Sequence, residues 1–311
     1  MPTKGKGLVA RRNISKGERI LSEKPLLISP NLSSMSVMES AIAAKLKTLS
    51  RTDQRQFLSL NNNFPGKYPF SGIMRTNAFP CGSGAVIGGV YPTICLINHS
   101  CLPNAHNNWN NELQWETIHS VDFIKAGEEI TITYDHGGPS NSRQAQLKGA
   151  FGFDCSCHQC LLPPAELHDS DLRREQIQSL DDLIGEPTRI MATPDCSLKA
   201  CFLMLQLLEA EFKGNAVTLI GRVYYDAFQI CIIHGDQARA SIFAQRATKY
   251  RVICEGEDSP ETINIKSLMK TPTQHASYGA STKWRTAKGL VPKGLDPDDF
   301  ENWLWREQNS M

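Results

Sequence analysis

Residues 7 to 28 alternate apolar and polar positions in three short runs, Leu8-Val9-Ala10, Ile14 to Leu21 and Pro25-Leu26-Leu27-Ile28. This alternation predicts short strands joined through a glycine turn. The phrase Ile14-Ser15-Lys16-Gly17-Glu18 returns as Ile124-Lys125-Ala126-Gly127-Glu128 and again opens a strand, Ile130 to Tyr134. Two turns of one design predict two similar edges in one β domain. Between them the period changes: Met38, Ile42, Leu46 and Leu49 fall at helical spacing, and Thr52 is placed to cap a second helix carrying Phe57 and Leu60. A helical insert over about 36–60 is expected, followed by a loop over 61–69 rich in Asn, Gly and Pro. Ile94 to Ile97 reads as an apolar strand, 109–115 as a hairpin turning at Asn110-Asn111, and 117–123 as a further strand.

After Cys160 the pattern becomes helical. Leu172, Ile177, Leu180, Leu183 and Ile184 share one face. Three more helices are marked by Leu198 to Phe212, Val217 to Cys231, and Ile242 to Ile253. His234-Gly235-Asp236 joins the last two with Asp236 as N-cap, and Ala240, Ala244 and Ala247 give this pair the look of one tetratricopeptide hairpin, a single copy where a repeat array needs several. Asp296-Pro297 opens a last helix, whose Trp303 and Trp305 are expected either to dock on the body or to meet a partner. The pattern predicts an α+β chain of two domains, a β-rich one over 1–161 and a helical one over 165–311.

The 311 residues and 41% hydrophobic content suit two packed cores. With 33 basic and 32 acidic residues the net charge is +1, so no direct nucleic-acid binding is expected from the overall balance. No run is apolar enough for a signal sequence or a membrane span, and the expectation is a protein of the nucleus or cytoplasm. In that setting ten cysteines point to metal ligands and buried thiols. Cys81, Cys95, Cys196, Cys201, Cys231 and Cys254 are scattered and expected in the cores. Cys155, Cys157 and Cys160 are clustered and lack a fourth ligand for a tetrahedral zinc. Cys101 and His158 are the candidates, and closure is awkward for His158, which lies between two ligating thiols.

Three separated pieces carry a resemblance: Lys4-Gly5-Lys6-Gly7; Asn98-His99-Ser100-Cys101-Leu102-Pro103-Asn104; and Gly127 to Tyr134 followed by Phe153-Asp154-Cys155-Ser156-Cys157-His158-Gln159-Cys160. In order and spacing they resemble the SET-domain protein-lysine methyltransferases over 1–160, closest to the SET and MYND branch and its fungal relatives, without that branch's MYND finger. The resemblance implies a β-rich SET domain with a helical insert and a post-SET zinc site, then a tetratricopeptide-like helical domain. It implies that Lys6, Gly7, Asn77, Asn98, His99 and Phe153 bind S-adenosylmethionine and that Tyr134 stands at the methyl-transfer point. Phe79 and Phe151 would line the lysine channel. One structural zinc would be held by Cys101, Cys155, Cys157 and Cys160.

Methyl transfer from a sulfonium to an amine needs no metal at the reacting centre, so the zinc is expected to be closed and structural. It does need a neutral amine, and a free lysine with a pKa near 10.4 is neutral in only about one molecule in a few thousand at pH 7. An apolar channel beside a fixed positive charge disfavours the ammonium. The expected substrate is a protein or histone lysine, and the helical domain offers a surface for a further partner. Two other readings compete: an inactive SET scaffold and a zinc-dependent DNA-binding protein.

Overall fold

The computed structural model describes residues 5–29, 34–135 and 137–307. Lys4 of the first quoted piece lies outside them. Two compact units result: 1–163 with 253–256, and 164–252 with 257–311.

The first unit is built from very short strands. β1 (Leu8–Val9), β2 (Arg19–Glu23) and β3 (Leu27–Ile28) come first, followed by α1 (Met35–Thr48), α2 (Arg51–Leu58) and α3 (Pro69–Asn77). Then come β4 (Phe79–Pro80), β5 (Gly88–Val90), β6 (Asn98–His99), β7 (Ala105–Asn110), β8 (Trp115–Ser120), β9 (Glu129–Ile132) and α4 (Ser140–Phe151). They form three three-stranded sheets ordered β1-β9-β6, β2-β8-β7 and β3-β5-β4. In the first, β9 is central, antiparallel to β1 and parallel to β6.

The two glycine turns meet each other. Ile14 and Ile124 exchange backbone hydrogen bonds of 2.8 and 3.0 Å. Each turn closes the same way, Glu18 N–H to Ser15 O and Glu128 N–H to Lys125 O, with Gly17 and Gly127 supplying φ of 84° and 90°. Each glutamate also accepts from the main chain of its own turn, Glu18 from Ser15 and Glu128 from Lys125. The repeated phrase therefore builds two turns of one design, as expected, and the two pair with each other.

Two expectations are corrected. Ser50, not Thr52, caps α2, its hydroxyl accepting from Asp53 N–H at 3.1 Å. Ile94–Leu96 is a 3-10 turn rather than a strand, because the Glu23 carboxylate accepts both Thr93 and Ile94 N–H at 3.0 and 2.9 Å. Helix α3 follows a segment read only as loop. Its first N–H groups, of Phe70 and Ser71, are capped by Glu39 of α1 at 3.0 and 2.7 Å, a partner no local pattern reveals.

The second unit is helical: α5 (Pro164–Ile184), α6 (Pro187–Ala192), α7 (Pro194–Phe212), α8 (Val217–Ile233), α9 (Gln237–Glu255, of which 253–255 count with the first unit), α10 (Pro260–Lys270) and α11 (Pro297–Trp305). One core gathers Leu198, Met204, Leu208, Val223, Phe228 and Phe243. Trp305 is buried in it, 4.7 Å from Phe243 and 5.2 Å from Phe202 between ring centres, so this tryptophan docks. Asp236 caps α9, accepting from Arg239 N–H at 3.2 Å. Of the scattered cysteines, Cys201, Cys231 and Cys254 are buried, Cys81 and Cys95 half-buried, and Cys196 exposed. Among the described residues no helix is long and apolar enough to cross a membrane.

Candidate active site

The stretch from Asn98 to Asn104 is held on β9 by main chain and side chain alike. Asn98 pairs with Thr131 and His99 with Ile132, and Ser100 N–H continues the ladder to Ile132 O at 2.9 Å. Asn104 closes it like a short strand of its own: its amide donates to Glu129 O and accepts from Thr131 N–H, both at 2.9 Å. An asparagine fits there because its amide carries a donor and an acceptor side by side, as a peptide unit does.

On one side of β6 the Asn98 amide reaches Glu129 Oε1 at 2.7 Å and the Lys6 carbonyl at 3.2 Å. A Cβ on Gly7 would stand 2.7 Å from that amide nitrogen and 2.9 Å from the Glu129 carboxylate. Gly7 is thus a close-approach glycine, and Lys6, Gly7 and Asn98 share one place. Asn77 ends α3, where its amide donates to Asn61 O and Ile73 O and its carbonyl accepts the Cys95 thiol at 3.3 Å.

On the other side, His99 is buried and its ring is taken up inside the fold. Nδ1 accepts the Tyr134 main-chain N–H at 3.0 Å, so Nε2 carries the proton and turns it toward Cys101 Sγ at 3.3 Å, with Asp135 Oδ2 at 3.6 Å. Tyr134 is fixed at both ends, since its hydroxyl donates to the Ile97 carbonyl. Its ring lies 4.8 Å from Phe151 and 5.4 Å from His99, and Phe153 lies 6.2 Å from His99. Phe79 and Tyr134 pack on the same apolar cluster, and Phe79 meets Tyr91 edge-on. Burial, then the neighbouring Cys95 and Glu129, push the Tyr134 phenol well above its ordinary range, so it keeps its proton.

Behind Tyr134 the sulfurs of Cys101, Cys155, Cys157 and Cys160 all lie within 4.8 Å of one another. Cys101 is 4.0 Å from Cys155 and 3.6 Å from Cys160. A tetrahedral zinc with Zn–S bonds of about 2.3 Å sets its ligand sulfurs about 3.8 Å apart, so these spacings fit a metal. The chemistry agrees: hydrogen bonds with the other three thiols, then burial, push the Cys101 thiol up, and a bound divalent cation would favour the thiolate form of all four sulfurs. His158 is exposed and not part of the group.

Helix α4, unread in the sequence, supplies the frame of this corner. Gln144 brackets the Cys155 main chain, donating to its O and accepting its N–H, both at 2.8 Å. Leu147 is fully buried against the thiols. Arg143, one turn earlier on the same face, is fully buried with its guanidinium 4.0 Å from Cys160 Sγ. Burial works against its charge, but Cys101 and Cys160 outweigh it and hold the guanidinium charged. Four thiolates on a divalent ion carry a net double negative charge, and Arg143 offsets part of it. The one signal for Arg143 in the sequence is its i, i+4 spacing from Leu147.

Comparison with known proteins adds a family. The SET domain model matches residues 5–135. The chain is 34% identical to histone-lysine N-methyltransferase set5 of Schizosaccharomyces pombe, over 98% of this chain and 92% of that protein. Human N-lysine methyltransferase SMYD2 is 22% identical over 51% of this chain and 40% of its own length. Among solved structures, the SET domain of LSMT bound to lysine and AdoHcy is 15% identical, with a TM-score of 0.34 over 96% of this chain and 92% of that one, too loose a superposition to bear on the site.

Proposed function

The chain belongs to the SET-domain protein-lysine methyltransferases, and we propose that Tyr134 is the residue that orients the reacting amine in its transfer of a methyl group from S-adenosylmethionine to a protein lysine. The observation that carries this reading is the double fixing of Tyr134, by His99 at its N–H and Ile97 at its hydroxyl. Its proton already lies on Ile97 O, which leaves the phenol oxygen's lone pairs free to accept from the substrate amine. A phenol pushed upward in pKa is a poor base, so its work is positioning rather than proton removal.

Lys6, Gly7 and Asn98, adjacent around a glycine with no room for a side chain, fit a cofactor amino-acid end. His99 contributes through its main chain, because both ring nitrogens are engaged. Phe153 would lie on the adenine, and Asn77 would meet the cofactor by its main chain. Phe151, whose ring lies beside Tyr134, and Phe79, packed on the same apolar cluster as that tyrosine, would line a channel that disfavours the substrate ammonium. When bound, S-adenosylmethionine supplies the electrophilic methyl group. Zinc, if held by Cys101, Cys155, Cys157 and Cys160, would cross-link the Asn98–Asn104 stretch to the segment bearing Phe153 and take no part in the transfer. The full-length similarity to a histone-lysine methyltransferase supports a histone as substrate. The helical unit is read as a tetratricopeptide-like module on its Asp236-capped pair α8 and α9.

Tyr134→Phe tests the assignment. Turnover on a lysine peptide should fall about a hundredfold or more, while metal content holds and stability drops by only about 1 kcal/mol from the lost hydroxyl bond. Turnover within threefold of the wild type would remove Tyr134 from the transfer.

A further inference from the structure

From residue 262 to 295 the chain contains no aspartate or glutamate, yet it carries Lys266, Lys270, Lys283, Arg285, Lys288 and Lys293. The balanced net charge of +1 conceals this segregation. Lys266 pairs with Glu257. The other five are exposed, and among the described residues none has a carboxylate partner.

This segment is a fixed strap, not a loose tail. Gly279, Ser281, Trp284 and Thr286 donate their main-chain N–H groups to Ile232, Ile233, His234 and Gly235 in turn, at 2.9 to 3.1 Å. The Thr286 hydroxyl adds a 2.6 Å bond to the buried Asp236. Trp284 is buried against His234, with ring centres 5.2 Å apart. Because Trp284 faces inward, its exposed neighbours Lys283 and Arg285 are held to the outside. Lys288 reaches the Lys270 carbonyl at the end of α10, bringing those two together. Lys283 and Lys288 are at most about 18 Å apart along the chain. Lys270, Lys283, Arg285 and Lys288 thus make one rigid group of positive charge.

We propose that this strap binds the phosphate backbone of duplex nucleic acid. A protein partner would need an apolar or aromatic anchor at the centre of the patch; between Lys283 and Lys288 the one large apolar side chain, Trp284, is buried, and the exposed Tyr278 and Leu290 lie outside that span in sequence. Phosphate contacts are made by lysine and arginine together with small hydroxyl side chains, and Ser281 and Thr282 stand next to Lys283. No base readout is implied. The proposal concerns residues of the helical unit and does not depend on the reading of the methyl-transfer site.

The test is fluorescence anisotropy of the full chain with a random-sequence DNA duplex, between 50 and 200 mM salt. With four cations on phosphates, log K should fall against log salt with a slope of about −3.6, roughly a hundredfold over that range. The variant Lys270→Gln, Lys283→Gln, Arg285→Gln, which leaves Lys288 on the α10 terminus, should bring the slope to about −1 and weaken binding at least about tenfold at low salt. A charge-preserving variant, Lys270→Arg with Lys283→Arg and Arg285→Lys, should bind like the wild type, which separates charge from folding. Equal DNA binding by wild type and the Gln variant would overturn the proposal. So would strap-dependent binding of a polyglutamate peptide without binding of DNA.

Discussion

Around Leu208 the helical unit encloses Leu198, Met204, Val223, Phe228 and Phe243, none of them exposed, whereas the buried centre of the thiol corner is Leu147 and three cysteine sulfurs. The first region is held by burial of apolar side chains, at about 25 cal/mol for each Å² removed from water. The second has Leu147 as its one fully buried aliphatic side chain, and its remaining members, Tyr134, Phe151, Phe153 and Cys160, are only partly buried. The corner beside the proposed transfer site is therefore read as depending on cross-links: Gln144 to Cys155, His99 between Tyr134 and Cys101, and the proposed metal. A core fails gradually as side chains are removed, and a cross-linked corner fails when one link goes.

The sharpest break of this contrast is Cys101→Ala. A four-thiolate zinc site is worth on the order of 10 kcal/mol to its segment, so the variant should retain no stoichiometric zinc by atomic absorption. Its affinity for S-adenosylmethionine should fall more than about a hundredfold by calorimetry, because Phe153 loses its anchor. Full zinc content in Cys101→Ala would show that the corner is held by something else. Leu208→Ala is the counterpart. It should cost about 3 kcal/mol in urea unfolding, with zinc content and cofactor affinity both unchanged. A loss of zinc there would dissolve the distinction.

A third change probes the interior of the strand unit. Burial pushes the Glu116 carboxyl up to about 7, against hydrogen bonds from Asn107 and Tyr91 that work the other way. Between its ordinary 4.5 and about 7 the folded protein holds a proton that the unfolded chain has released. Stability therefore falls as pH rises through that window and is level above it. The drop should be about 3 kcal/mol, and Glu116→Gln should abolish it in unfolding curves taken at about pH 5 and pH 8. The smallest effect belongs to Asn98→Ala. Loss of one amide should weaken cofactor binding about tenfold, near 1.4 kcal/mol, with zinc retained; equal zinc loss in Asn98→Ala and Cys101→Ala would refute the separation of the two sides of β6.

What could be read in the sequence was whatever its local spacing encodes. Asn98 to Asn104 and Cys155 to Cys160 are compact phrases, and the fold brings their thiols together. The helical half was legible because residues such as Leu198 and Leu208, Ile220, Ala227 and Cys231, and Phe243 and Ala247 fall at helical spacing within their helices and are buried. The Ile94 run was misread because periodicity cannot tell a short apolar strand from a turn, and Glu23 decided the matter from another strand. Helices α3 and α4 escaped for a related reason. The first takes its cap from Glu39, and the working face of the second is Arg143, Gln144, Leu147 and Phe151, more polar than apolar. The basic strap was hidden by averaging, since acidic residues elsewhere cancel it in the net charge.

The central claim is that the thiol corner holds the cofactor-binding surface in place without touching the chemistry. Its most direct test is calorimetry of S-adenosylmethionine binding to wild-type protein loaded with zinc, stripped by a chelator and then reloaded. The account predicts one binding site per chain in the loaded protein, its loss on stripping and its return on reloading. Unchanged binding by the stripped protein would contradict it.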